Sequence, residues 1–354
     1  MNGPTVQQMD WSDLEISRQL GQGGFCTVYN VGLHPSVKVR TPPRSAFVSS
    51  LSGKQQNKLT MSNHETQIED FDDFDNDREY LYAAKTLSRF VKGGDKKRRQ
   101  LAIQDLRREV TLLSKLPFHP NIVSLVGVSN NFEKSPESGF LLLEKVTETL
   151  DAALLRWKHE AKCKSIVHQL IASKRQAFQA ETIERVALGI ADAMVFLHSN
   201  NIVYRDLKPS NLGFDRYGRI QMFDFGLARQ LESTEPMLLT YCGTPRYMSP
   251  EVVRREAYGL SIDVYTFGLV LWELLALKKP YRSISNENTL FLRKMNNHTL
   301  PLRSIASCRI RQLLQQCWKS NPHQRPNFRT IHDQLSAEID FWVAKKNLVK
   351  KIKI

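Results

Sequence analysis

Four polar residues in two short stretches of the chain carry functional groups that can act on phosphate. Asp206, Lys208 and Asn211 lie in "YRDLKPSNL", and Asp224 follows in "FDFGLAR". A carboxylate offers the hard oxygen that Mg²⁺ prefers as a ligand. A lysine ammonium is a compact point charge that suits a phosphate oxygen. These residue types therefore favour phosphate chemistry assisted by a divalent cation.

A glycine-rich stretch near the N-terminus, "LGQGGFCTVY", offers a second phosphate-binding feature. Gly21 and Gly23 let backbone N–H groups approach a phosphate without a Cβ in the way. Cys26 stands where a third glycine is expected. Such decapeptides also occur in ordinary hairpin turns, so the stretch alone leaves a phosphate loop and a plain turn equally open.

The elements around these residues follow from hydrophobic periodicity. The alternation in "LEISRQLGQGGFCTVYNV" predicts two strands joined by the glycine turn. A dinucleotide fingerprint needs its glycines between a strand and a helix, so this context argues against one. "EYLYAAKTL" predicts a short strand that carries Lys85, and "QDLRREVTLLSKL" predicts an amphipathic helix that carries Glu109.

The chain changes character near residue 150. "HPNIVSLVGV" and "FLLLEKV" predict two further strands, whereas helical patterns dominate afterwards. A strand-rich part followed by a helix-rich part predicts an α+β protein with two lobes and a cleft between them. The expected segments are an N-terminal tail (1–10), an N-lobe with one main helix (11–145), a larger helical C-lobe (146–343), a basic C-terminal tail (344–354), a disordered acidic insertion (41–76) and a polar insertion at about 158–176.

Taken in order, the glycine loop, the strand lysine, the helix glutamate, "YRDLKPSNL" and "FDFGLAR" resemble the signature set of the eukaryotic protein kinases. The resemblance extends from about Trp11 to Val343. It implies the bilobal protein-kinase fold and ATP-dependent phosphoryl transfer to a protein hydroxyl, with ATP and Mg²⁺ as cofactors.

The resemblance also implies roles for individual residues. Asp206 would accept the proton of the substrate hydroxyl, and Lys208 would neutralise the transferring phosphoryl group. Lys85, oriented by an ion pair with Glu109, would hold the α- and β-phosphates. Asn211 and Asp224 would hold metal ions. The implied nucleotide site comprises Gly21, Gly23, Val28, Ala83, Lys85, Leu143, Glu144 and Val146.

Three positions depart from the family pattern. Cys26 replaces the third glycine of the loop, and Tyr204 replaces a histidine before Arg205. Gly213 stands where a large apolar residue normally forms the floor of the adenine site. Unless a neighbouring side chain fills that space, we expect a roomier pocket beneath the base.

Substrate type and regulation are also implied by the resemblance. "DLKPSN" and "GTPRYMSPE" resemble serine/threonine kinases, in which Lys208 and Thr244 frame the acceptor. "DVYTFGLVLWELL" and "NPHQRPNF" resemble the tyrosine-kinase-like branch, so dual specificity stays open. Thr240 occupies the usual activation-loop phosphosite, where a phosphate added by an upstream kinase or by autophosphorylation could pair with Arg205. Ser233, Thr234 and Tyr241 are alternative sites.

Composition limits the partners and the compartment. The formal net charge of +14 is spread along the chain, and its densest runs are "KKRR" and "KKNLVKKIKI". We interpret both as solvent-exposed charge in preference to a nuclear localisation signal or a surface for an acidic partner. We expect protein substrates, no nucleic acid and no transmembrane segment. Five scattered cysteines without CxxC spacing argue against a disulfide framework or a zinc site. We expect an intracellular protein in the cytoplasm, with the nucleus as the alternative.

Two other classes compete with an active kinase. A pseudokinase would use the same fold as a scaffold or allosteric partner, and the three departures keep this alternative open. Mg²⁺-dependent ATP turnover that Asp224→Asn abolishes would separate the two. A nucleotide-binding oxidoreductase would need a strand–glycine–helix unit, which the sequence lacks.

Overall fold

The computed structural model describes residues 6–23, 25–39, 80–88, 91, 95–130, 132–163, 171–232 and 237–352. The expected insertion at 41–76 lies outside these residues, as do Ser233 and Thr234. The chain divides into two compact units. The first unit falls within residues 1–103, 113–120 and 124–145, and the second comprises 104–112, 121–123 and 146–354.

The first unit is built on a six-stranded sheet. Its strands are β1 (Gln7–Met9), β2 (Leu14–Gln22), β3 (Cys26–Leu33), β4 (Tyr82–Leu87), β5 (Leu125–Ser129) and β6 (Phe140–Glu144). The spatial order is β1-β5-β6-β4-β3-β2, and β1 pairs with β5 in parallel while the other pairs are antiparallel. Helix α1 (Lys96–Lys115) begins well before the periodic stretch from which it was predicted.

One face of this sheet carries a hydrophobic core. Val31, Ala84, Phe140 and Leu142 are fully buried there. They come from neighbouring strands, and the alternation of side chains along each strand brings them to the same face. Burial of each large apolar side chain contributes about 1.5 to 3 kcal/mol, so this layer holds the strands together.

Strand β1 lies within the segment expected to be an N-terminal tail. Met9 is 1% exposed and belongs to the core. A Cβ on Gly127, which pairs with Gln7, would lie 2.7 Å from the Met9 sulfur, so only glycine lets β1 lie against β5 at this point.

The second unit is mainly helical. Its helices are α2 (Leu150–Cys163), α3 (Ile171–Thr182), α4 (Leu188–Ser199), α5 (Pro250–Val253), α6 (Ser261–Ala276), α7 (Glu287–Met295), α8 (Cys308–Cys317) and α9 (Phe328–Ile352). Short strands are β7 (Glu148–Thr149), β8 (Ile202–Val203), β9 (Leu212–Phe214), β10 (Ile220–Met222) and β11 (Arg229–Gln230). The prediction of a strand-rich first part and a helical second part, an α+β fold of the kinase type, is confirmed.

Two segments that we expected from the sequence to be an insertion and a tail contain helix. The polar stretch at about 158–176 includes the end of α2 and the start of α3. The basic segment that begins at residue 344 continues α9 as far as Ile352.

Helix α6 forms the centre of the second unit. Every residue from Ile262 to Leu275 is buried, which fits the apolar run "TFGLVLWELLAL" in this helix. No helix among the described residues is both long and apolar enough to cross a bilayer. Arg325 and Glu251 form an ion pair, with both guanidinium termini on the carboxylate at 2.5 and 3.0 Å and both side chains buried.

Candidate active site

The glycine stretch joins two antiparallel strands. Gly21 on β2 pairs with Val28 on β3, and the Gly23 N–H donates to the Cys26 carbonyl at 2.8 Å. A Cβ at Gly21 would meet nothing within 4 Å. Open space on this exposed backbone fits a loop over which a ligand could lie. The strand–turn–strand context also confirms that this is not a dinucleotide fingerprint.

The register of the first sheet brings four of the expected nucleotide residues to one face. Val28 pairs directly with Lys85, and Ala83 pairs with Leu143. Ala83 and Lys85 are two positions apart on β4, and directly paired residues point to the same side of a sheet. Val28, Ala83, Lys85 and Leu143 therefore share a face, whereas Glu144, adjacent to Leu143, belongs to the opposite one.

In the second unit, Asp206 is the centre of a hydrogen-bonded network. Its Oδ1 accepts from the Thr244 hydroxyl at 2.7 Å, and its Oδ2 accepts from Lys208 Nζ at 2.7 Å and from Asn211 Nδ2 at 3.0 Å. Lys208 Nζ also donates to the Thr244 hydroxyl at 2.9 Å. The motif thus places a carboxylate, an ammonium and an aliphatic hydroxyl within direct contact of one another.

Asp263 on α6 holds the backbone that presents this network. Its two carboxylate oxygens accept from the backbone N–H groups of Tyr204 and Arg205 at 2.8 and 2.9 Å, and the His198 ring lies 3.0 Å away. Arg205 has a φ of 72°, which costs a non-glycine residue about 1 to 2 kcal/mol. Charge-assisted hydrogen bonds to a buried carboxylate offset that cost and fix the turn into Asp206.

Tyr204 finds the hydroxyl partner that the sequence does not identify. Its ring is fully buried and meets the Phe225 ring edge-on at 5.2 Å between centroids. Its hydroxyl donates to the carbonyl of Phe223. Burial, and then the nearby carboxylates of Asp224 and Asp206, raise the pKa of Tyr204 well above its ordinary value, so it stays a donor.

The aspartate of "FDFG" lies in a special backbone conformation. Asp224 has a φ of 66°. The next residue, Phe225, donates its backbone N–H to the Glu109 carboxylate at 3.2 Å, and Glu109 is fully buried. Glu109 thus anchors this motif within the second unit.

The space left by Gly213 is filled by a neighbour. A Cβ on Gly213 would lie 2.3 Å from Val146 Cγ1 and 2.7 Å from the carbonyl oxygen of Glu148. The expected roomier pocket depended on no neighbour occupying this position, and Val146 occupies it. Glycine here follows from the close approach of β7 to β9, in which Thr149 pairs with Gly213.

A cluster of arginines, which the sequence motifs only partly indicated, lies beside the Asp206 network and comprises Arg108, Arg205 and Arg229. The pKa of Arg229 is lowered to about 10, first by burial and then by the positive charges of Arg205 and Arg108. Arg205 donates to the Leu227 carbonyl at 2.6 Å and to the Tyr258 hydroxyl at 3.1 Å. Asp105, which pairs with Arg108 at 2.7 Å, offsets part of this positive charge. The charge that remains attracts an anion.

Comparison with known proteins gives one family. The protein kinase domain model matches residues 71–335, more than half of the chain, a range that begins after the glycine stretch. The serine/threonine/tyrosine-protein kinase HT1 of Arabidopsis thaliana is 32% identical over 230 residues, which cover 64% of this chain and 53% of HT1.

Two further relatives extend this result. A mitogen-activated protein kinase kinase kinase 7-like protein of Drosophila melanogaster is 28% identical over 303 residues, 83% of this chain and 65% of that protein. The dual specificity protein kinase shkB of Dictyostelium discoideum is 30% identical over 240 residues, 66% of this chain and 33% of shkB. The matched regions therefore cover less than two thirds of each of these relatives. The sequence motifs, the α+β fold and the family match agree, and the chain belongs to the protein kinase family.

Proposed function

We propose that this protein is an ATP-dependent protein serine/threonine kinase that transfers the γ-phosphoryl group to a hydroxyl of a protein substrate. The observation that carries the proposal is the Asp206 network. Its carboxylate already accepts a hydrogen bond from an aliphatic hydroxyl, that of Thr244, beside the Lys208 ammonium. A carboxylate in this setting can accept the proton of an incoming serine or threonine.

In this proposal each side chain of the network has a chemical role. Asp206 orients the acceptor hydroxyl and takes up its proton as the O–P bond forms. Lys208, in contact with Asp206 and Thr244, supplies positive charge where the transferring phosphoryl group becomes most negative. Asp263 and Asn211 hydrogen-bond to the backbone of residues 204–206, so Asp206 keeps its position without reorganisation.

The family implies Mg²⁺, and the chemistry of the donor set fits it. Asn211 commits its amide nitrogen to the Asp206 carbonyl and carboxylate, so its amide oxygen is the atom that can take a cation. Asp224 adds a carboxylate. No cluster of three or more His, Cys, Asp or Glu side chains suited to a metal occurs among the described residues. Mg²⁺ takes few protein ligands and completes its shell with water and substrate phosphates, so an amide oxygen and one carboxylate are a suitable donor set. When bound, the cation would neutralise phosphate charge.

The proposal is tested by phosphorylation of a generic basic protein in Mg²⁺ and ATP. Asp206→Asn keeps the shape of the side chain but removes the charge and the proton acceptor. We expect a loss of at least 100-fold in rate. Asp333→Asn is the matched control, because the Asp333 side chain is 75% exposed. Equal rates in wild type and Asp206→Asn would contradict the proposal. Folded protein without turnover would favour the pseudokinase alternative.

We also propose that phosphorylation of the segment around Thr240 regulates the enzyme. Thr240 is exposed, and its carbonyl accepts from the Tyr258 hydroxyl at 2.6 Å. The same hydroxyl accepts from Arg205, which connects Thr240 to the arginine cluster. A phosphate carries about two negative charges and would pair with these guanidinium groups.

Thr240→Ala tests the regulatory proposal. We expect lower activity than wild type after incubation with ATP and the loss of one mapped phosphosite. Thr330→Ala is the control, since it removes an exposed threonine hydroxyl on α9 and leaves the segment around Thr240 in place. Unchanged phosphate content and activity in Thr240→Ala would contradict this part of the proposal.

A further inference from the structure

A buried lysine on α7 lies outside the catalytic network. Lys294 is fully buried, and its Nζ donates to the backbone carbonyl of Met248 at 2.7 Å. The same nitrogen lies 5.4 Å from the centre of the Tyr265 ring and 5.0 Å from that of Tyr281. It is thus enclosed by one carbonyl and two aromatic faces.

The surroundings of Lys294 give its charge little ionic support. Glu251, the carboxylate whose charge raises the pKa of Lys294, is already paired at both oxygens with Arg325. Burial, with Arg246 adding to it, lowers the pKa of Lys294 to about 7, and Glu251 opposes this shift. Tyr265 and Tyr281 remain neutral, since burial raises both of their pKa values. A methionine would fill the same space without the cost of burying an amine. The buried amine therefore marks Lys294 as a candidate for a functional role.

The segment that Lys294 holds continues directly from the catalytic network. Thr244, which contacts Asp206, is followed two positions later by Arg246, whose guanidinium donates to the carbonyls of Pro280 and Tyr281 at 2.6 and 3.0 Å. Residues 246–248 therefore lie beside the place where the acceptor hydroxyl must come. A polypeptide whose hydroxyl reaches Asp206 would therefore lie next to these residues.

The segment is fixed at three consecutive residues. The Arg246 guanidinium donates to the Pro280 carbonyl in the connection after α6. The Tyr247 hydroxyl donates to Glu273 at 2.6 Å. The Tyr247 carbonyl also accepts from the Thr266 hydroxyl on α6 at 3.1 Å, and the Met248 carbonyl accepts from the Lys294 amine on α7. Lys294 thus links this segment to α7, whereas Thr266 and Glu273 link it to α6.

We infer that Lys294 is a positioning residue for the protein substrate, which acts by holding the Met248 carbonyl and thereby the path of residues 246–248. This inference rests on the proposed kinase function. It predicts an effect on the use of protein substrate and none on the use of ATP.

The kinetic test compares Lys294→Met, which has a similar length and no donor, with Lys294→Gln, which keeps a neutral N–H donor. We expect Lys294→Met to raise KM for a peptide substrate about 10-fold, the scale of one lost buried hydrogen bond. Lys294→Gln should recover part of this loss, and KM for ATP should stay within about 2-fold in both variants. Lys346→Met on the exposed side of α9 is the control.

A second measurement does not depend on activity. Hydrogen exchange of backbone amides in residues 242–249 should be faster in Lys294→Met than in wild type, while exchange in β4 and β6 stays the same. If wild type is inactive, the kinase proposal fails and this measurement still tests the role of Lys294. An unchanged peptide KM with unchanged exchange would overturn the inference. Equal losses for peptide and ATP, with faster exchange throughout the chain, would also overturn it, because they would show a general loss of stability.

Discussion

Adding a side chain at Gly213 tests whether Val146 fills the space beside it. A Cβ there would lie 2.3 Å from Val146 Cγ1, 2.7 Å from the Glu148 carbonyl oxygen and 3.2 Å from Thr149 Cα. Val146 can turn away, but the other two contacts are backbone atoms of β7. Relief of those contacts requires β7 to separate from β9, where Thr149 pairs with Gly213.

The expected cost of Gly213→Ala follows from these distances. Overpacking of a filled site costs about 1 to 3 kcal/mol. Because two of the three contacts involve backbone that is held in a sheet, we expect the upper half of that range, about 2 to 3 kcal/mol. Gly213→Leu, the residue type common at this position of the family, should be more destabilising and should raise KM for ATP.

The assay is chemical or thermal unfolding of four proteins, namely wild type, Gly213→Ala, Val146→Ala and the double variant. The double variant should lose less stability than the sum of the single changes, by about 1 kcal/mol, since Val146→Ala removes one of the clashing atoms. Gly21→Ala is the control, because its Cβ would meet nothing within 4 Å. A Gly213→Ala protein as stable as wild type, with no coupling to Val146, would refute this reasoning.

Two further predictions concern stability. Burial raises the pKa of Glu273 to about 7, so the folded protein binds this proton more tightly than the unfolded chain, and stability is lost as pH rises through 7. Glu273→Gln keeps an acceptor for Tyr247, and its free energy of unfolding should rise relative to wild type by up to about 3 kcal/mol between pH 4.5 and 8. Unfolding at several pH values measures this difference, and a difference that does not depend on pH would contradict the raised pKa of Glu273. Arg325→Met leaves the Glu251 carboxylate buried without its partner and should cost about 3 to 5 kcal/mol, whereas Arg329→Met at an exposed position should cost little; similar unfolding curves for both variants would contradict the ion-pair assignment.

The sequence predicted the features that depend on local pattern. Alternation between Leu14 and Val31 predicted β2 and β3, and the resemblance of "YRDLKPSNL" to the protein-kinase motif implied related roles for Asp206, Lys208 and Asn211. Both depend on residues close together in the chain, where strand and loop geometry leaves few arrangements.

Features made by distant residues were not predictable in the same way. Nothing near Tyr204 indicates that its hydroxyl meets the Phe223 carbonyl, and nothing near Gly213 identifies Val146 as the residue that fills its place. Lys294 looks like an ordinary helix lysine in "FLRKM", and only the arrangement of α6, α7 and the Met248 segment buries it. These contacts depend on tertiary packing, which a single sequence does not specify.

The most direct test of the central claim is the transfer of labelled γ-phosphate from ATP, in Mg²⁺, to a basic protein substrate, followed by identification of the labelled amino acids. The account predicts label on serine or threonine in wild type and in Asp333→Asn, and at least a 100-fold lower rate in Asp206→Asn. Label that persists in Asp206→Asn, or its absence from folded wild-type protein that binds ATP, would contradict it.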